Sequence, residues 1–175
     1  MSHLLGGLLH PIAVPAHAIA LLALGLLISQ QRVRARVVAI VLFVVALIAG
    51  LGAIVGGVGP TSALDVLLAA TALTGLLVAL GRPMPIAVCA RLAAIIAGTL
   101  GLDSPPEVLA ISDATMMLIG TGIGAAVALA IVVLCASYLT AQWQRIGMRI
   151  LGSWIAASAI LVLALRFARG LIGGA

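Results

Sequence analysis

Long apolar runs, each close to the length of a membrane crossing and separated by short polar breaks, constrain this chain more than any other feature. They fall at Ile12–Ser29, Val37–Val55, Ser62–Leu80, Pro85–Leu102, Ser112–Tyr138 and Arg149–Ala168. An α-helix rising about 1.5 Å per residue needs roughly 20 such residues to cross a hydrocarbon layer about 30 Å thick. Composition points the same way, since 65% of the chain is apolar and 7% charged, against about 25% charged in soluble domains. A globule of this size could not cover itself with polar groups, so the lipid bilayer is its solvent. The expected fold is an all-α integral membrane protein, a single domain over residues 1–175 forming a compact bundle of six transmembrane helices. The connections are too short to hold another domain.

Charge orients the bundle. The chain has nine Arg, no Lys and four acids, for a net charge of +5. Arg32, Arg34, Arg36, Arg82, Arg91, Arg145 and Arg149 fall at or near one face, and Arg166 and Arg169 at the other. Positively charged loops stay in the cytoplasm, so both termini are expected outside the cytoplasmic membrane. The acids Asp65, Asp103, Glu107 and Asp113 then lie externally, as do His3, His10 and His17. Because the Arg residues stand singly between apolar runs, with almost no aromatics for base stacking, a nucleic-acid partner is excluded. Arg91, inside the fourth run, is expected to snorkel to the interface. The N-terminal segment lacks a preceding positive charge and contains Pro11 and Pro15, so it reads as part of the protein, not a cleaved signal. Cys89 and Cys135 read as small buried hydrophobes. Gly52 with Gly56, Gly120 with Gly124, and Ser153 with Ala157 are spaced to let helices approach closely.

Few polar residues could carry chemistry. His10 and His17 are seven apart, about 10 Å along a continuous helix. Pro15 suits a helix start, which would leave His10 on a preceding loop able to fold back towards His17. Two converging imidazoles suit a borderline divalent cation such as nickel, cobalt or zinc; equally, two interfacial His residues could simply bond water or backbone. Asp65 is placed either to neutralise a cation's charge or to stabilise the start of its helix. Met116 and Met117 read as gap-filling core or, with Asp113, as a softer site for copper. No arrangement of nucleophile and base, HExxH, CxxC or P-loop is present, so no enzyme is expected.

His10-Pro11, His17 and Gly25 resemble the opening motif HPxxGxDH, followed by a Gly eight residues on, of the HupE/UreJ family of hydrogenase and urease accessory membrane proteins. The segment Arg149-Ile150-Leu151-Gly152-Ser153-Trp154-Ile155-Ala156-Ala157 is similar to that family's last helix. Pro60, Asp65 and Thr71 are similar to its Pro, acid and Ser/Thr pattern. Val14 and Ala16 replace the motif's Gly and Asp, and a His-rich HGxAHGxE stretch is represented only by Ala97-Gly98-Thr99-Leu100-Gly101-Leu102-Asp103. The resemblance implies a small permease for nickel or another transition metal. It carries His10, His17, Asp65 and Asp103 over as metal-site residues. The two departures favour a second expectation, a non-transporting subunit that packs against other subunits of a membrane complex or helps assemble one. A carrier for a small apolar solute is a third.

Overall fold

The computed structural model describes residues 2–56, 62–104 and 111–173. Residues 57–60 of the Gly-rich turn, Thr61, and Pro105, Pro106 and Glu107 lie outside them. The described residues form seven α-helices and no strand: α1 Ser2–Ala13, α2 Pro15–Ser29, α3 Val33–Val55, α4 Ala63–Leu80, α5 Ile86–Leu102, α6 Ile111–Ser137 and α7 Gln142–Gly173. Four of these, α3, α4, α6 and α7, are long and apolar enough to cross a membrane; counting the bent pair α1 and α2 as one span makes five, and α5 is a shorter apolar helix.

The first run is not one continuous helix. Pro15 has no N–H to offer the Pro11 carbonyl and its ring collides with that carbonyl in a continuous helix. The preceding Val14 is accordingly extended, with φ −87° and ψ 112°, as steric conflict with the proline ring requires. The two pieces meet at 71°. His10, expected on a loop, lies instead on the helical segment α1. At the other end, Gln142 to Arg145, expected in a connection, form the first turn of α7, and Arg34 and Arg36 lie in the first turn of α3. A helix satisfies its own backbone in water or in lipid, so hydropathy marks where hydrocarbon starts, not where a helix does.

Helix α2 is the axis of the bundle and packs against every other helix. From Ala20 to Ser29 only Leu22 is not buried. Around it three pairs, α1 with α6, α3 with α5 and the antiparallel α4 with α7, make the most extensive contacts. Each pair closes on glycine. A Cβ on Gly124 would stand 2.2 Å from the Leu8 carbonyl oxygen, one on Gly50 2.4 Å from that of Gly98, and one on Gly75 2.7 Å from that of Gly152. Such contacts permit backbone-to-backbone approach without a large side chain between the helices. Helix α3 buries a single stripe, Ala35, Ala39, Phe43, Leu47 and Gly50, spaced at about one helical turn; its other faces are exposed, as suits lipid.

Two of the three expected small-residue seams are displaced. Gly52 meets nothing within 4 Å and Gly56 only its own helix, so Gly50 carries the α3 seam. Ser153 and Ala157 are exposed, while Gly152 and Ala156, one residue earlier, face Gly75. The Gly120 and Gly124 seam is observed, against Leu4 and Leu8 of α1. Cys89 is buried, but Cys135 is exposed, contrary to the expectation for both. Arg91 is likewise exposed.

Candidate metal site

The break between α1 and α2 folds His10 back over His17. Their ring centroids stand 5.5 Å apart, edge to face at 65°, about half the spacing that a straight helix would impose. His17 lies in the first turn of α2 and is fully buried. Its neighbours come from the packing of α2 against α5, which ends beside the start of α2. There Asp103 closes α5, with its N–H donating to the Thr99 carbonyl at 2.9 Å. The Asp103 carboxylate accepts a hydrogen bond from His17 Nε2 at 3.1 Å.

That bond settles the chemistry of the buried ring. A neutral imidazole carries one N–H and one lone pair. Donation from Nε2 to a carboxylate leaves Nδ1 as the lone-pair nitrogen, and Nδ1 is buried with no hydrogen-bond partner among the described residues. His10 Nε2 is also buried and unpartnered. Burying a polar atom without a bond costs on the order of 1–3 kcal/mol, so two such atoms on adjacent rings are an exception to the usual satisfaction of buried polar groups. Together, neighbouring imidazoles of which one is oriented by a carboxylate match the common arrangement around a protein-bound metal, where the second ring nitrogen of a ligating His donates to an acid. Among the described residues, no group of three or more His, Cys, Asp or Glu is arranged to hold an ion. What the structure brings together is two imidazoles, one of them bonded to Asp103.

Asp65 is placed differently. It lies in the first turn of α4, where a carboxylate is stabilised by the positive end of the helix macrodipole. Its Oδ1 accepts from Arg166 Nε at 2.5 Å, which joins the start of α4 to the far end of α7. The four residues carried over from sequence thus separate into a cluster, His10 with His17 and Asp103, and an ion pair, Asp65 with Arg166. The ion pair joins Arg166 to Asp65 and leaves Asp103 to His17. The run pattern puts Arg166 at the same end as the acids, but a pairing 101 residues apart is a consequence of how α4 and α7 pack. Met117 turns its backbone carbonyl towards Gly7, and Met116 is exposed on the outer surface.

Gly25, the last residue of the opening motif, has a packing role: a Cβ there would stand 2.4 Å from Val132 of α6. Gly152 in the similar last-helix segment closes on Gly75. Comparison with curated proteins and with solved structures returned no match. The family model described as HupE / UreJ protein matches residues 1–162. That match spans both motif segments and the helices that carry His10, His17 and Asp103, and with it the chain belongs to the HupE / UreJ protein family.

Proposed function

We propose that this protein binds a divalent transition metal, nickel foremost, through His10 Nε2 and His17 Nδ1 and admits it to the membrane from the external side. The observation that carries this reading is the pair of buried, unpartnered imidazole nitrogens brought together across the helix break. Imidazole suits nickel, cobalt, copper and zinc alike. In this reading Asp103 orients His17 and increases its basicity, Asp65, paired with Arg166, contributes less, and water or backbone carbonyls complete the coordination. Broken helices near membrane ion sites characteristically expose such carbonyls.

The reading takes six crossings: the four long helices, the bent pair and α5. The 15 residues of α2 extend only about 22 Å, less than the hydrocarbon thickness, so its start and His17 sit below the surface with α1 covering them. The Arg-rich end faces the cytoplasm by the positive-inside rule, and both termini face out.

Calorimetric titration of the purified protein with nickel, cobalt, copper and zinc tests the reading. The expected result is one ion bound, most affinity lost in either His10→Ala or His17→Ala, and little further loss in the double variant, because a site needing both ligands is broken by losing one. Affinity should fall between pH about 7.5 and about 5.5, since protons compete for ligands that ordinarily titrate near pH ~6.5. Absence of heat with all four metals would favour a membrane subunit that packs against or assembles a larger complex. The replacement of the motif acid by Ala16 and the lack of a three-ligand group among the described residues support that second reading.

A further inference from the structure

Among the described residues, the end of the bundle opposite the His pair carries arginines and no carboxylate side chain. Asp65, Asp103 and Asp113 lie at the His end, at the start of α4, the end of α5 and the first turn of α6. At the Arg end a cavity of about 640 Å³ opens where α2 and α6 finish and α7 begins. Arg36, Arg145 and Arg149 line it, with Gln30, Ser137 and Gln142.

These arginines are positioned unequally. Arg36 donates from Nε to the Gln31 carbonyl at 2.7 Å, from Nη2 to the Ser29 carbonyl and from Nη1 to Ser137 Oγ at 3.2 Å. Its plane is therefore held before any ligand arrives. Arg149 donates through Nε to the Ala79 carbonyl at 2.8 Å, which leaves its two terminal nitrogens for another acceptor. The Arg145 side chain has no partner among the described residues. Gln30 contributes the complementary group: its Nε2 donates to the Val78 carbonyl, and its buried Oε1 has no partner. The cavity thus offers guanidinium N–H groups to an oxyanion and one amide oxygen to a hydroxyl or ammonium.

We propose that this cavity is a phosphate site, filled by the head group of an anionic phospholipid. Guanidinium groups match phosphate oxygens in planar, paired hydrogen bonds, and basic pockets between membrane helices on one side of a bilayer suit lipid head groups. The surroundings favour a lipid as the source of the phosphate. Tyr138, just after α6, and Trp143, in the first turn of α7, are 79% and 73% exposed and adjoin the lining residues Ser137, Leu139 and Gln142 in sequence, as suits the headgroup level at which aromatic side chains gather. Ile146 lines the cavity and is half exposed, so the cavity has an apolar side chain beside its arginines. The hydroxyls of a phosphoglycerol head group also supply the donor that Gln30 Oε1 lacks.

Native mass spectrometry of the protein in a neutral detergent, with phosphatidylglycerol, phosphatidylcholine or inorganic phosphate added, tests this. One phosphatidylglycerol should be retained in preference to phosphatidylcholine, and R145Q/R149Q should retain at least about tenfold less, as loss of charged hydrogen bonds implies. R145Q alone, which breaks no contact among the described residues, should show part of that loss with the fold intact. R32Q/R34Q removes the same charge at the same end but outside this cavity and should bind as the parent does. Binding of inorganic phosphate with the same arginine dependence would support the oxyanion site and assign its source to free phosphate. Equal retention by parent and R145Q/R149Q, or equal loss in R32Q/R34Q, would overturn the proposal.

Discussion

His17 is committed by a single hydrogen bond. Once Nε2 donates to Asp103, Nδ1 is left with the ring's lone pair. Asp103→Asn keeps the shape but removes the charge that makes this ring a stronger ligand. Its expected cost is roughly 10–100-fold in nickel affinity, measured by titration calorimetry, with helical circular dichroism unchanged. Asp65→Asn should cost less than Asp103→Asn, because Asp65 is already neutralised by Arg166. The reverse order of the two variants would place Asp65, not Asp103, nearer the ion.

Proline and glycine shape the helices around those residues. Pro15→Ala restores an N–H to the break and lets α1 continue into α2, which would carry His10 away from His17. Nickel affinity should fall in Pro15→Ala without loss of helix content, and affinity equal to the parent would show that the bend is held by α6 alone. The seams make a sharper test. Gly124→Leu and Gly75→Leu each place a side chain where a Cβ already comes within 2.2 Å and 2.7 Å of backbone oxygen, so neither should accumulate as a monodisperse bundle in fluorescence-detected size-exclusion chromatography. Gly52→Leu faces open space and should run as the parent does. Gly81 plays the other role of glycine: with φ +63° it ends α4 in the left-handed region, where other residues are strained.

Across the whole molecule, opposite ends carry opposite chemistry. The His end holds imidazoles, acids and Arg166; the Arg end holds the phosphate cavity and hydrogen bonds from Arg36 and Arg149 that tie helix ends together. With Cys89 and Cys135 replaced by Ala, Ser62→Cys should react with an impermeant maleimide from outside intact cells. Arg34→Cys should react only after permeabilisation. Both positions are exposed, so a reversed pattern would invert the proposed orientation and place the His pair inward.

The sequence by itself determined the solvent, the helical class and the positions of most breaks, because lipid admits only long apolar segments and every polar interruption is costly. It also marked His10, His17 and the two prolines between them, since so few polar residues occur. Local sequence could not show that α1 is helical, since polar and apolar stretches both satisfy their backbone as helix. It misplaced two seams, because 3.6 residues per turn lets a shift of one residue rotate a small side chain out of an interface. Only the tertiary structure decided which acid serves His17 and which serves Arg166. Those pairings join residues 86 and 101 positions apart, and they depend on which helix ends meet when α2 is enclosed by three glycine-sealed pairs.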